Sequence, residues 1–142
     1  MASKGQMTGM LGVYLTAAEL TVRGFIVSPT SRNAIGADLL VTDQRCRKAW
    51  SVQVKTNGKP VSFWLLNSHA ADLHSDSHVY VFVSIRGSER PEYFVIPSTI
   101  VAQSHQSATR KTGSVWYWLD RRDMGRFAEA WGEVFGLDAS DG

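Results

Sequence analysis

Asp38 and Gln53 are polar residues in two largely apolar runs, ADLLV and WSVQV, separated by Asp43, Gln44, Arg45 and Arg47, and Lys55 directly follows the second run. Two short apolar runs around such a polar, basic turn predict adjacent strands of a hairpin. Strand side chains alternate faces, so Gln53 and Lys55 share one face while Val52 and Val54 share the other. A carboxylate, a carboxamide and an ammonium are thereby gathered on one face of a small sheet. Such groups are costly to take out of water unless they are paired or put to use. That makes residues 36–56 the chemically informative stretch of the chain.

The elements that must position this stretch follow from periodicity and punctuation. Leu11, Leu15, Ala18 and Val22 recur at three- and four-residue spacing and predict a helix over 8–23, with Thr8 as a cap and Gly24 as its stop. A strand over 25–27 ends at Pro29, and the polar link Thr30, Ser31, Arg32 and Asn33 leads into the hairpin. Asn57, Gly58, Lys59 and Pro60 form a turn, after which residues 61–73 read as either strand or helix. HVYVFVSI (78–85) is apolar on both sides and predicts a central strand. Residues 92–96 return as a further strand, and a short helix opens at Pro97. Residues 105–114 read as a polar, mobile loop, and 115–119 as an aromatic strand. Asp120 caps an expected last helix to Phe135, with Met124, Phe127, Ala128, Trp131 and Val134 on one face. This order describes one α/β domain over 1–142, with a core about 8–102 and a C-terminal helix about 120–135.

The bulk properties exclude several classes. With 142 residues and 44% hydrophobic content, the chain can bury a substantial core. A net charge of +2 sets up no strong overall field, although Arg45, Arg47 and Lys48, Arg110 and Lys111, and Arg121 and Arg122 form local basic clusters. Cys46 is the only cysteine, so there is no disulfide framework and a cytoplasmic address is expected. No run reaches membrane-spanning length and no signal peptide is read at the start. There is no P-loop, no GxGxxG turn and no GxSxG elbow, so neither a nucleotide cofactor nor a serine hydrolase is expected.

An early helix, then Asp38, then Gln53-Val54-Lys55 on the following strand resembles the PD-(D/E)XK nuclease superfamily. The variant with Gln at the acidic position is similar to intron-associated homing endonucleases of that superfamily, and to small bacterial proteins whose centre reads DLLV followed by QVKT. The resemblance implies a restriction-endonuclease-like mixed β-sheet flanked by helices, and a metal-dependent DNA endonuclease. In that reading Asp38, the side-chain oxygen of Gln53 and the carbonyl of Val54 ligate Mg²⁺, or alternatively Mn²⁺. Lys55 orients or helps deprotonate the attacking water and steadies charge on the phosphate. The expected partners are DNA and a second copy of the chain matched to duplex symmetry.

The chain departs from the pattern at one position. The family's first helix carries Glu in a context like Gly-Glu-Tyr-Leu, and here Gly12-Val13-Tyr14-Leu15 places Val13 at the acidic position. Glu19, six residues on, falls about 240° round the helix and is expected to face solvent. A catalytically silent nuclease fold that binds nucleic acid or a protein is the alternative. Three further groups have two readings each. Ser31, Arg32 and Asn33 either contact nucleic acid or satisfy turn backbone. His69, His74 and His78 read as loop residues ahead of a zinc site. Trp116, Trp118 and Trp131 read as packing ahead of base stacking.

Overall fold

The structure, a computed structural model, describes residues 1–31 and 35–136. The first helix, α1, spans Lys4–Val22 and begins before the expected Thr8. The reason is a capping box: Ser3 Oγ accepts from the Gln6 N–H at 3.1 Å, and Gln6 Oε1 accepts from the Ser3 N–H at 2.8 Å. The buried line of α1 also differs from the expected one. Gly12, Thr16 and Leu20 face the sheet, while Leu11 and Val22 are 44% and 77% exposed. Close packing decides this. Thr56 on the facing strand occupies the space a side chain at residue 12 would fill, so the helix is seated on its smallest residue.

The main sheet has five strands in the order β1-β2-β3-β5-β6: β1 (Ile26–Pro29), β2 (Leu39–Thr42), β3 (Ala49–Asn57), β5 (His78–Ser84) and β6 (Glu92–Pro97). Only the β3/β5 pairing is parallel; the others are antiparallel. The predicted hairpin is β2/β3, and its turn is closed by Asp43, whose Oδ1 accepts from the Arg47 N–H at 2.7 Å. Every residue of β5 is buried, as its apolar run predicts. The middle of the sheet, however, is β3, the strand carrying Gln53 and Lys55.

A smaller antiparallel sheet, in the order β4-β8-β7, packs against the first: β4 (Phe63–Leu66), β7 (Gln106–Thr109) and β8 (Val115–Asp120). Trp64 joins the two layers. Its ring meets Phe82 and Phe94 edge-on, and its Nε1 donates to the Val83 carbonyl at 3.0 Å. The ambiguous segment 61–73 thus supplies a strand and a short 3₁₀ turn, Ser68–Ala71.

Two expectations about the C-terminal half are corrected. The polar loop expected over 105–114 is confined to 110–114, because residues 106–109 form β7, which pairs with β8 from Gln106↔Trp118 to Thr109↔Val115. The helix expected over about 120–135 is only α3, Trp131–Phe135. Asp120 ends β8 opposite Phe63 and precedes a 3₁₀ turn to which its side chain makes no capping hydrogen bond. The chain then makes 3₁₀ turns at Arg121–Asp123 and Gly125–Phe127. At Glu129 it takes φ 53°, and the Glu129 N–H donates to the Tyr93 carbonyl on the edge of the main sheet. Docking to β6 overrides helical periodicity there. The short helix after Pro97 is α2, Ser98–Ser104, as expected.

Candidate functional site

The site begins where β2 and β3 part. The Asp38 N–H donates to the Val52 carbonyl at 2.7 Å, one step beyond the last paired residues of β2. The next β3 donor, the Val54 N–H, finds no main-chain carbonyl and donates to Asp38 Oδ2 at 2.7 Å. The same oxygen accepts from Gln53 Nε2 at 3.1 Å. The carboxylate therefore completes the ladder and is fixed by it.

Upstream of Asp38 the chain is held from two sides. The Thr30 N–H donates to the Asp38 carbonyl at 3.0 Å, and Thr30 Oγ1 donates to the Ala37 carbonyl at 2.6 Å. On the other side, buried His78 donates through Nε2 to the Gly36 carbonyl. Gly36 has φ +77°, and a Cβ there would lie 2.1 Å from a Leu73 methyl carbon, so both conformation and space require glycine. Sequence reasoning did not find Thr30, Gly36 or His78 as supports, since only the fold brings them to Asp38.

An open recess of about 970 Å³ lies over this fork. Asp38, Gln53 and Val54 form one wall, Thr30 and Ser31 another, and Met10, Val13 and Tyr14 of α1 overhang it. Val13, at the position the family gives to Glu, faces the same recess as Asp38. Lys55 lies two residues along β3 from Gln53, half-buried and in no direct ion pair among the described residues. Burial pushes the Asp38 carboxyl above its ordinary value of 3.8, against the opposing pull of the Val54 N–H and the Lys55 charge. Burial likewise lowers the Lys55 ammonium from 10.5, with Asp38 opposing. Each charge is thus held in a site that favours its neutral form.

The expected residues fare differently. Asp38, Gln53 and Val54 converge, with Lys55 adjacent. Ser31 is at the rim of the recess, while Arg32 and Asn33 lie outside the described residues. Glu19 does not face solvent as expected. Its side chain is 15% exposed and is held by Arg90 and, at 3.6 Å, by Arg23. His69 and His74 are exposed and His78 is buried. Among the described residues no three His, Cys, Asp or Glu side chains group together. Trp131 is buried against Tyr93, but Trp116 is 39% exposed.

The donors at the fork are all oxygens: a carboxylate, a carboxamide and a main-chain carbonyl. Asp38 Oδ1 accepts no hydrogen bond from the described residues, whereas Oδ2 accepts two. Such a set fits a small hard cation that keeps several waters and is completed by substrate phosphates. Among the described residues no helix is long and apolar enough to cross a membrane.

A mixed five-stranded sheet with an early helix packed over its central strand is a restriction-endonuclease-like fold. Solved structures of that class superimpose on nearly the whole chain. One is Hjc, a Holliday junction resolvase from Archaeoglobus fulgidus, at 13% identity and a TM-score of 0.57, covering 90% of this chain and 95% of the other. Another is the bacterial homing endonuclease I-Ssp6803I, at 15% identity and a TM-score of 0.59, covering 99% and 97%. At such identities the likeness is one of fold. No family model and no curated protein matches the chain.

Proposed function

We propose that this chain is a metal-dependent DNA endonuclease that hydrolyses phosphodiester bonds. The observation that carries the reading is the Asp38 carboxylate, locked into the β2/β3 fork beside Gln53 on a restriction-endonuclease-like fold. Asp38, Gln53 Oε1 and the Val54 carbonyl would hold Mg²⁺ or Mn²⁺. The ion, when bound, polarises the scissile phosphate and makes a nucleophilic water available near neutral pH. The chain's own residues supply position and charge. The Val54 N–H and Gln53 amide keep the carboxylate from rotating. Lys55, whose ammonium burial makes easier to deprotonate, would in its neutral form accept the proton that the attacking water gives up, and the ammonium so formed would stabilise the charge that grows on the phosphate. A pair of copies would match the symmetry of a duplex, and a lone exposed Cys46 fits the reducing cytoplasm.

The test is nicking of supercoiled plasmid by purified protein with Mg²⁺ or Mn²⁺. Nicking that disappears in Lys55→Ala and with chelator is the expected result. Absence of nicking, or nicking indifferent to Lys55→Ala, refutes the catalytic assignment.

Val13 favours a second reading, in which the fold binds nucleic acid or a protein partner without cutting. The recess is lined by a single carboxylate, Asp38, and the charge of neighbouring Lys55 acts on it, so little excess negative charge is left to attract a dication. Salt-sensitive DNA binding without cleavage would select this reading.

A further inference from the structure

The outer part of the β7/β8 hairpin, residues 106–116, adds little to the core, which the hairpin reaches through Leu119 and Tyr117. All four residues of β7 are exposed, as are residues 110–116, so burial does not account for its order. Its chemistry is distinctive. Residues 105–119 contain Arg110 and Lys111 but no Asp or Glu. Neither cation is in an ion pair among the described residues. The Arg110 guanidinium lies over the Trp116 ring, 3.5 Å from its centroid. The tip is closed by the Arg110 N–H to the Ser114 carbonyl at 2.7 Å and the Gly113 N–H to the Arg110 carbonyl at 2.9 Å. Thr112 and Ser114 hydroxyls sit 3.1 Å apart beside it. A guanidinium held over an indole keeps N–H groups available for a ligand, and part of its ordering cost is met before any ligand arrives. Flanking hydroxyls and a second cation complete a set of donors suited to phosphate oxygens.

We propose that this hairpin tip is a phosphate-contacting arm for duplex DNA, separate from the Asp38 recess. Arg110 and Lys111 each neutralise one phosphate, and Trp116 is a positioning residue that holds Arg110 extended. The proposal rests on the nuclease reading and adds to it a second place where the duplex is held.

The experiment is fluorescence anisotropy with a labelled duplex of arbitrary sequence, run without divalent metal across a salt series. Wild type is compared with the Arg110→Ala/Lys111→Ala double variant, Trp116→Ala and Arg110→Lys. Each phosphate contact contributes about 0.9 to the slope of log affinity against log salt, so the double variant is expected to be shallower by about 2. The affinity advantage of wild type then shrinks about tenfold between about 50 and about 200 mM salt. Trp116→Ala and Arg110→Lys are expected to bind more weakly with the wild-type slope, since charge is kept and only placement is lost. Arg110→Lys makes this test without disturbing the sheet if Trp116→Ala proves unstable. A double variant that matches wild type in affinity and slope overturns the arm while leaving the nuclease reading intact. Wild type that binds no duplex even at the lowest salt overturns both. A Trp116→Ala slope as shallow as the double variant's overturns the positioning role.

Discussion

Gly12→Ala tests how α1 is seated over the site. An ideal Cβ at residue 12 lies 1.7 Å from Thr56 Oγ1, 2.9 Å from its Cγ2 and 2.8 Å from its Cβ. The first two atoms move by rotation about χ1. The third is fixed to the backbone of β3, so relief requires α1 to lift or slide. Overpacking of this kind costs about 1–3 kcal/mol, and the better helix propensity of alanine returns at most about 1 kcal/mol. Contacts this short put the cost at about 2–3 kcal/mol, so the net loss of about 1–2 kcal/mol corresponds to roughly 3–8 °C in melting temperature for a chain of this size. Gly9→Ala supplies the internal control. No atom lies within 4 Å of its added Cβ, so only the propensity gain of about 1 kcal/mol remains and the protein should melt higher. Thermal and urea unfolding followed by circular dichroism measure both. Thr56→Ala in the Gly12→Ala background removes the 1.7 and 2.9 Å contacts but keeps the 2.8 Å one, so recovery should be partial. A Gly12→Ala protein that melts at or above wild type would refute this account of the α1/β3 contact.

Further outcomes follow from the same geometry. Thr16 is fully buried and its hydroxyl finds no partner among the described residues, so Thr16→Val should stabilise by about 1 kcal/mol or more in urea titrations. Asp38 has a folded pKa above its unfolded value, so its favourable contribution is complete below pH 3.8 and is lost as pH rises through the raised value. Asp38→Asn should therefore melt above wild type at neutral pH, with the gain vanishing on acidification. Metal-dependent cleavage should fade at a higher pH than an ordinary carboxylate dictates, because a proton competes for Asp38; a pH–rate profile checks this. Val13→Glu adds a unit charge to the recess. Its gross attraction to a dication, several kcal/mol at an effective dielectric of about 20, is largely offset by desolvation, leaving an expected gain of about tenfold or more in Mg²⁺ affinity by calorimetry.

The site was legible where chemistry conflicted with local pattern. Asp38, Gln53 and Lys55 interrupt apolar strands, and alternation alone places Gln53 and Lys55 opposite Val52 and Val54. The β2/β3 hairpin was legible too, because its turn is strongly polar, and β5 stood out as an interior strand because it is apolar throughout. The face of α1 was not. Counting apolar residues selects Leu11 and Val22, but a helix pressed close to a strand turns its small residues inward, and Gly12 scores as nothing on a hydrophobic scale. The C-terminal helix failed for a related reason. Its periodicity is real, yet the main-chain bond from Glu129 to Tyr93 and the left-handed turn at Glu129 belong to tertiary docking, which no local window contains. The hairpin at 105–118 was missed because β7 is polar and exposed on both faces, so it lacks the alternation that marks a half-buried strand.

The bond between the Val54 amide and Asp38 also makes the site observable without any reaction. An amide proton held by a carboxylate shifts its resonance when that carboxylate gains a proton or a cation. The Val54 cross-peak in a ¹⁵N spectrum is therefore a built-in indicator of the state of Asp38. It titrates with the carboxylate, it responds to Mg²⁺ if the ion binds there, and it loses its pH dependence in Asp38→Asn. Its rate of exchange with deuterium reports how often the β2/β3 fork opens.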